Sequence, residues 1–363
     1  MTSPNLVVVG TRPEAIKLAP VILELEMRRM PVQVVLTGQH EHEKITPILS
    51  SIGVSSSVLY RGGYENRQGV TESVGELIDC VADVVRARKP RSVIVQGDTA
   101  STFAGALAGF LQNIPVAHVE AGLRTHDLEN PFPEEGFRQA VARWTRLHLC
   151  PTELAASHLE QENVQHRNVV VTGNTGIDAL RIVAQGLGDL EVENSVLFTL
   201  HRRESWGGKM VTVLRNMRDV TKAHPETKFV LVRHPNRANG DMMEKAMVGS
   251  PNVAVVPPLP YEQMVRTLKK CRGLMTDSGG LQEEALALGI PTLVLRQTTE
   301  RPEVLEDGCA RLVGNDGEGI AEELEIMLKG QRACRNEFRA TKIGDGFASV
   351  RVVDALAQQG LCG

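Results

Sequence analysis

Short apolar runs alternate with stretches of helix-forming residues along almost the whole chain. The apolar runs predict strands at 6–9, 32–37, 92–96, 115–119, 147–150 and 169–172, and a second series at 196–200, 228–232, 253–255, 273–276 and 292–295. Strands that are apolar throughout and separated by helical segments are typical of parallel sheets covered by helices on both faces. The pattern therefore predicts an α/β fold.

The two series of strands indicate two domains built on one plan. In each series an arginine follows soon after the first strand, Arg12 after LVVVG and Arg202 after VLFTL. Ligands of open α/β sheets bind at the carboxyl ends of the strands. We predict two Rossmann-like domains, residues 1–173 and 174–346, that face each other across a cleft. Residues 347–363 are expected to form a terminal helix that packs back on the first domain.

The composition narrows the class of protein. The 363 residues carry a net charge of −4 and only 4% aromatic residues, so we expect no nucleic-acid partner. The six cysteines are scattered without a CxxC pair or zinc-type spacing, which fits reduced thiols and no metal site. No apolar run approaches about 18 residues, and no signal segment is recognised. These features predict a soluble cytoplasmic protein that does not enter a membrane.

One segment of the second domain predicts a phosphate site. After the strand at 273–276 comes a turn with Ser278, Gly279 and Gly280, and then a helix. The first N–H groups of a helix are unpaired and carry partial positive charge, so a diphosphate binds well there. Glu284, one turn further, is placed to accept the hydroxyls of a ribose, and Arg301 to hold a phosphate oxygen. The alternative is an ordinary strand–turn–helix that binds nothing.

Acidic residues follow two strands of the first domain. Asp98 comes after the strand at 92–96, and Glu120 comes after the strand at 115–119. Both are therefore expected at the carboxyl edge of the sheet. Asp98 has an alternative role as the N-cap of the helix expected from Ser101.

A second group of acids follows the segment PFPEE. Glu134 and Glu135 stand directly after a stiff Pro-x-Pro geometry, and Arg138 lies one turn further on. Crowded carboxylates raise one another's pKa, which allows one of them to act as an acid at neutral pH. The alternative is that these are surface acids that cap a helix.

Basic residues follow the first strand of each domain. Arg12 and Lys17 flank a helix start that contains Pro13, and both are able to point toward an anion at that end. The alternative is a solvated basic pair. His201 is followed by two arginines, so an anionic ligand is expected there, although a lone histidine is more often structural.

The motifs GTRPEAIK, QGDT, HVEAGLRT, PFPEE, TGNTGID, HRRES, TDSGGLQEEA and TTERPE stand in this order between residue 5 and about residue 347. With them the chain resembles the non-hydrolysing UDP-N-acetylglucosamine 2-epimerases. The resemblance implies a glycosyltransferase-B-like pair of domains, usually a homodimer. It also implies interconversion of UDP-GlcNAc and UDP-ManNAc, without a redox cofactor, by elimination and re-addition of UDP.

The resemblance also assigns roles to residues. The catalytic set would be Asp98, Glu120, Glu134 and His201, with His201 at the leaving diphosphate. The substrate-binding set would be Arg12, Lys17, Arg138, Leu259, Met264, Ser278, Gly279, Gly280, Glu284 and Arg301. Which carboxylate removes the C2 proton stays open.

Bacterial members of this family carry a second UDP-GlcNAc site that activates the enzyme. Its counterparts here would be Gln39, His40, His42, Arg67, Arg202 and His234. The chain departs from the family pattern in several places. His42 replaces the usual glutamine, Gln96 stands where a histidine usually precedes Gly-Asp, and Met264 stands where an aromatic residue usually flanks the uracil.

Three other functions fit the same sequence. A hydrolysing relative would release UDP and free ManNAc after the same elimination. A glycosyltransferase on the same scaffold is disfavoured by the clustered acids. A non-catalytic sensor of nucleotide sugars would have no use for those acids.

Overall fold

The computed structural model describes residues 3–60, 70–201, 207–299, 302–306, 308–314, 319–330 and 338–362. The chain forms two compact units. The first comprises Met1–Ala179 and Gly344–Gly363, and the second comprises Leu180–Ile343.

Parallel strands and helices alternate through the first unit. Its strands are β1 (Asn5–Val9), β2 (Val32–Leu36), β3 (Val58–Tyr60), β4 (Ser92–Gln96), β5 (Val116–Val119), β6 (Leu147–Cys150) and β7 (Val169–Val171). Its helices are α1 (Arg12–Met27), α2 (His42–Ile52), α3 (Val70–Arg88), α4 (Ala100–Leu111), α5 (Glu134–Trp144), α6 (Glu153–Gln161) and α7 (Thr175–Gly186), which runs on into the second unit. A 3-10 turn occupies His166–Asn168. The strands of the described residues form one parallel sheet in the order β3-β2-β1-β4-β5-β6-β7.

The second unit repeats this plan. Its strands are β8 (Ser195–Thr199), β9 (Lys228–Val232), β10 (Val253–Val256), β11 (Gly273–Thr276), β12 (Thr292–Val294) and β13 (Ala310–Leu312). Its helices are α8 (Gly208–Ala223), α9 (Arg237–Ala246), α10 (Tyr261–Lys270), α11 (Gly279–Ala287), α12 (Pro302–Glu306) and α13 (Ile320–Lys329). Within the described ranges the sheet has the order β10-β9-β8-β11-β12-β13, again parallel. Both orders are those of doubly wound dinucleotide-binding folds.

The apolar pattern predicted these strands well because both faces of each sheet are covered. Every residue of β1, β4 and β11 is buried, so those strands are continuous apolar runs or nearly so. Each predicted strand is present with its ends shifted by no more than one residue. The predicted α/β fold is therefore confirmed.

Two strands were missed, β3 and β13. Each has three residues and lies at an edge of its sheet, and Val58 and Leu312 are each 38% exposed. A strand that is so short and partly exposed leaves little apolar signal in the sequence.

Among the described residues, no helix is both long and apolar enough to cross a bilayer.

The last helix, α14 (Ala348–Gln358), belongs to the first unit. Its N-terminus receives a carboxylate from α7, because Asp178 accepts from the N–H groups of Ala348 at 3.1 Å and Ser349 at 2.7 Å. A negative charge at this end stabilises a helix. Arg28, the C-cap residue of α1, binds Asp354 further along α14, at 2.6 Å. The units divide after Ala179, six residues later than the expected boundary at Gly173, because Asp178 and α14 hold the start of α7 in the first unit.

Candidate active site

Each sheet has one point at which the strand order changes direction, between β1 and β4 in the first unit and between β8 and β11 in the second. The loops that leave two such neighbouring strands turn to opposite faces of the sheet and leave a crevice between them. The loop after β4 carries Asp98, the loop after β8 carries His201, and the loop after β11 carries Ser278. Asp98, His201 and Ser278 thus lie in loops that border the crevice of their sheet.

The buried carboxylate of Glu14, for which the sequence predicted no role, connects the loop after β1 with the loop after β4. Glu14 is 1% exposed and accepts from the N–H groups of Gly10 at 2.8 Å and Thr11 at 2.6 Å. It also accepts from the hydroxyls of Thr99 at 2.6 Å and Thr102 at 3.0 Å. Burial raises the pKa of Glu14, and these four donors act in the opposite direction. The sequence does contain a signal for this residue, since T-x-x-E is a capping box.

Asp98 pairs with Arg138 and does not cap a helix. The N-cap of α4 is Thr99, whose hydroxyl accepts from the N–H of Thr102 at 3.1 Å, so the alternative role of Asp98 as a cap is wrong. Arg138 Nη2 lies 2.6 Å from Asp98 Oδ2. Burial raises the pKa of Asp98, the guanidinium of Arg138 lowers it, and the charge of Glu120 raises it. The net result is a raised pKa, which is a common property of catalytic carboxylates.

Glu120 is held by a cation in an unusual backbone conformation. Its φ is +62°, a left-handed value that residues other than glycine adopt rarely. Lys17 Nζ lies 2.6 Å from Oε1 and 2.5 Å from Oε2, and the side-chain amide of Gln96 also donates to Oε2. The alternative of a solvated basic pair is therefore wrong for Lys17. Arg12, the first residue of α1, is half-buried.

The two acids of PFPEE differ in burial and in their hydrogen bonds. Glu135 is fully buried and accepts from the N–H groups of Thr125 at 3.1 Å and His126 at 3.2 Å. It also lies 3.2 Å from Arg138, whose guanidinium it helps to orient toward Asp98. The alternative of a surface acid is thus wrong for Glu135. Glu134 is half-buried at the start of α5, and its carboxylate has no hydrogen bond or ion pair to any residue that the structure describes.

His118, on β5, is a further residue whose role the sequence did not reveal. Its Nε2 lies 2.7 Å from the carbonyl oxygen of Gly97, which has a φ of +75° and directly precedes Asp98. His118 is 2% exposed, and burial lowers its pKa to about 4. The neutral ring therefore donates from Nε2 and fixes the turn that presents Asp98.

In the second unit, Asp277 fixes the backbone at His201. Asp277 is fully buried, and its Oδ1 accepts from the N–H of His201 at 2.8 Å. The hydroxyls of Thr199 and Thr276 bond between the same two strands at 2.7 Å. The sequence showed Asp277 only as part of a turn. Its role depends on β8 and β11 being neighbours, which is a property of the sheet order.

His234 lies beside His201. Its Nδ1 accepts from the N–H of Asn236 at 2.9 Å, so its proton is on Nε2, which donates to the carbonyl oxygen of His201 at 3.3 Å. The centroids of the two imidazole rings are 5.8 Å apart. The structure thus joins one residue of the predicted activating set to one of the predicted catalytic set.

The predicted phosphate turn lies at the start of α11. Ser278 is the N-cap residue and makes no side-chain cap bond, and Gly279 is the first residue of the helix. A Cβ added at Gly280 would meet no heavy atom within 4 Å, so the first turn has open space beside it. Further along α11, Glu284 lies against the buried hydroxyl of Tyr261, whose pKa is raised first by burial and then by that carboxylate. This contact ties the start of α10, which carries the half-buried Met264 and follows Leu259, to α11.

Two residues of the predicted activating loop contact the first crevice. Gln39 Oε1 accepts from the N–H of Ser101 at 3.1 Å and from its hydroxyl at 2.7 Å. His40 Nδ1 accepts from the N–H of Arg12 at 3.3 Å. His42 begins α2. The remaining predicted residues, Arg67, Arg202 and Arg301, lie outside the described residues.

Comparison with known proteins agrees with this architecture. The profile of the UDP-N-acetylglucosamine 2-epimerase family matches residues 23–357. The chain is 36% identical over 371 residues to the UDP-N-acetylglucosamine 2-epimerase of Yersinia pestis, with 97% of each chain covered. It is similar to the crystal structure of the UDP-GlcNAc 2-epimerase of Neisseria meningitidis bound to UDP-GlcNAc, with a TM-score of 0.86, 33% identity, and 98% of this chain and 100% of that chain covered.

A more distant structure agrees as well. The UDP-GlcNAc 2-epimerase of Methanocaldococcus jannaschii, in complex with UDP-GlcNAc and UDP, is similar with a TM-score of 0.81 and 29% identity, over 98% of this chain and 99% of that chain. The match to the family profile covers most of the chain, and the identity to the Yersinia pestis enzyme extends over nearly all of it. The chain therefore belongs to the UDP-N-acetylglucosamine 2-epimerase family of enzymes.

Proposed function

We propose that the protein is a non-hydrolysing epimerase that interconverts UDP-GlcNAc and UDP-ManNAc by eliminating UDP and adding it back. The observation that carries this proposal is the set of acids at one edge of the first sheet. Asp98 follows β4, Glu120 follows β5, and each is paired with a cation. Glu134 stands at the start of α5, on the helix that also carries Arg138. A non-catalytic sensor has no use for this arrangement.

The chemistry needs such acids because no carbonyl group lies next to C2 of the sugar. A carboxylate takes the C2 proton, the C1–O bond breaks, and its electron pair leaves with the β-phosphate of UDP. The electrons of the former C2–H bond form the C1–C2 double bond of 2-acetamidoglucal. In the return step, a UDP oxygen adds to C1 and a proton is delivered to the opposite face of C2. No atom is gained or lost overall.

The arrangement of the acids supports a division of roles. Glu120 sits against an ammonium group that stabilises its ionised form, so it is present as the carboxylate that a proton acceptor must be. Asp98 has a raised pKa, which suits a group that must exist in both protonation states. Glu134 is the third catalytic acid of the proposal. Arg12, Lys17 and Arg138 would hold the sugar and these acids in place.

The second unit would hold the nucleotide. Ser278, Gly279 and Gly280 would bind the diphosphate at the start of α11, with Arg301 on a further phosphate oxygen. His201 would stabilise the diphosphate as it leaves. Glu284 would accept the ribose hydroxyls, and Leu259 and Met264 would flank the uracil. The open space beside Gly280 supports this placement.

Incubation with UDP-GlcNAc in D2O tests the proposal, with C2 followed by NMR. We expect deuterium at C2 of UDP-ManNAc and also of the recovered UDP-GlcNAc. Release of free ManNAc and UDP would instead identify a hydrolysing enzyme. Binding of UDP-GlcNAc without deuterium or product would refute an epimerase, and sugar transfer to an added acceptor would identify a glycosyltransferase.

We further propose that a second molecule of UDP-GlcNAc activates the enzyme, through Gln39, His40, His42, Arg67, Arg202 and His234. Gln39 and His40 accept hydrogen bonds from backbone N–H groups at the starts of α4 and α1. These contacts support such coupling, because the loops of the first crevice lead into these two helices. With UDP-ManNAc as the sole substrate we expect a lag, which a trace of UDP-GlcNAc abolishes. A linear start without UDP-GlcNAc would contradict activation.

The quaternary state and location complete the proposal. A homodimer is supported by two exposed apolar side chains at the end of α4, Phe110 at 49% and Leu111 at 64%. Sedimentation equilibrium should give twice the chain mass, and a monomer at micromolar concentration would contradict it.

Cys150 and Cys362 are buried free thiols, which supports a reducing compartment such as the cytoplasm.

A further inference from the structure

Gln96 places a neutral donor on one oxygen of Glu120. It is the last residue of β4, 3% exposed, and its backbone is in register with Val119 of β5. Glu120 follows Val119, so the two side chains meet at the same edge of the sheet. The side-chain amide of Gln96 donates to Glu120 Oε2.

Lys17 and Gln96 differ in what they contribute to Glu120. Lys17 Nζ lies nearly equidistant from both oxygens, at 2.6 and 2.5 Å, so it supplies charge without distinguishing them. Gln96 contacts Oε2 and thereby fixes the rotation of the carboxylate about its Cγ–Cδ bond. A buried amide with a hydrogen bond holds its rotamer well, because any other rotamer would leave a buried donor unpaired.

We propose that Gln96 is a positioning residue for Glu120: its amide aims the carboxylate at C2 of the sugar and keeps that hydrogen bond at every working pH. This inference rests on the proposed function. An amide neither gains nor loses a proton, whereas a histidine at the same place is a titratable group whose charge would change with pH. The family resemblance implies a histidine at this position, so the amide distinguishes this chain.

The other charged and titratable groups near Glu120 are known from the same geometry. Within the described part of the chain they include Lys17 from α1, Asp98 from the loop after β4, and His118 from β5. Arg138 reaches this region through its contact with Asp98. Burial lowers the pKa of His118 to about 4, so this histidine stays neutral at working pH. The donor contacts on Glu120 from Lys17 and Gln96 therefore keep the same charge between about pH 5 and pH 9.

The test compares Gln96→Leu and Gln96→His with the wild type. Gln112→Leu is the matched control, because the amide of Gln112 bonds to the carbonyl oxygen of Ala82 at 2.9 Å, away from the acids. The measurements are kcat and KM from pH 5 to pH 9, deuterium incorporation at C2, and UDP affinity by calorimetry.

We expect Gln96→Leu to lower kcat by at least about tenfold, with KM and UDP affinity within about threefold of wild type. The removal of a donor from an ionised carboxylate raises its pKa. The acid limb of kcat/KM should therefore move to higher pH by about one unit. Gln96→His should restore the rate but add a further inflection to the pH profile, from the titration of its imidazole, which the wild type lacks. Gln112→Leu should match the wild type.

Two results would overturn the inference. One is an unchanged kcat and pH profile in Gln96→Leu. The other is a loss by the same factor at every pH, which indicates a merely structural role. If Gln96→Leu fails to fold, Gln96→Asn decides in its place, since it keeps a polar group but withdraws the donor by one methylene. Failure of the proposed function is distinct, because the wild type itself would then form no deuterated UDP-ManNAc.

Discussion

Arg138 Nη2 lies 2.6 Å from Oδ2 of Asp98, and the other terminal nitrogen of the same guanidinium lies 3.2 Å from the buried Glu135. The guanidinium is thus fixed by one carboxylate and lowers the pKa of another. An acid in the loop after β4 is thereby tied to α5, the helix that begins with Glu134.

The first prediction concerns the charge of Asp98. Asp98→Asn keeps the size of the side chain and removes its ability to exchange a proton. We expect C2 deuterium incorporation to fall by about 10²- to 10⁴-fold, with UDP affinity within about twofold of wild type. NMR in D2O and calorimetry measure the two quantities. Asp83→Asn, which changes an exposed acid paired with Arg86, is the control and should keep full exchange.

The second prediction concerns the buried carboxylate of Glu14. Glu14→Gln replaces an acceptor oxygen by an amide nitrogen that faces donors from Gly10, Thr11, Thr99 and Thr102. We expect a loss of about 2–4 kcal/mol in the free energy of unfolding, measured with urea. Glu24→Gln, in the partly exposed pair with Arg28 on the same helix, should cost less than about 1 kcal/mol. Equal losses in the two variants would contradict the role given to Glu14.

The third prediction concerns Asp277 and His201. Asp277→Ala leaves the N–H of His201 without its acceptor in a buried place, whereas Asp277→Asn keeps an acceptor oxygen at the same position. We expect UDP affinity to fall by about tenfold or more in the alanine variant and by much less in the asparagine variant. Calorimetry measures both. Asp241→Asn, at the surface partner of Arg233, should bind UDP as the wild type does.

The fourth prediction concerns stability at acid pH. Burial lowers the pKa of His118 to about 4, from an ordinary value of about 6.5 in the unfolded chain, so the unfolded state binds more protons between these two values. Stability is therefore complete above about pH 6.5 and is lost as the pH falls. The loss from His118 alone is about 2 kcal/mol by pH 5. Arg124, Arg138, Glu120 and the adjacent His148 all act on this ring.

The variant His118→Gln tests this linkage. A glutamine can still donate to the carbonyl oxygen of Gly97 but does not titrate between pH 4 and pH 7. We expect the difference in urea midpoint between pH 7 and pH 5 to shrink in this variant. His166→Gln, at an imidazole that is 88% exposed, should leave that difference unchanged. A full pH dependence in His118→Gln would show that other groups cause it.

The fold was predictable from the sequence because strands that are buried on both faces appear as continuous apolar runs. The strands β4, β6, β9 and β11 were predicted with their observed ends, since each is bounded by polar or turn residues. The edge strands β3 and β13 were missed because they are short and partly exposed. The start of α7 joined the first unit because of Asp178, a contact with α14 that lies 170 residues further on and leaves no local signal.

The candidate site was predictable where a chemical group directly follows a strand. Asp98, Glu120 and His201 satisfy that rule, and each stands at the carboxyl edge of its sheet. The residues that hold them were not predictable in the same way. Glu14 meets Thr99 across 85 positions, and Asp277 meets His201 across 76, so these contacts require the sheet order to be known. The burial of Glu135 could not be predicted, because it depends on the loop at 125–126 folding over it.

The path of the chain has a consequence for dissection of the enzyme. The first unit is left after Ala179 and re-entered at Gly344, and a Cβ added at Gly344 would lie 3.2 Å from Cβ of Ile177. The second unit is therefore an insertion whose two ends leave the first from neighbouring points. Excision of residues 180–343, with a short glycine bridge in their place, should yield a separately expressible first unit, whereas simple removal of the C-terminal tail would strip it of α14. The acids of the first unit could then be titrated in the absence of the nucleotide loop.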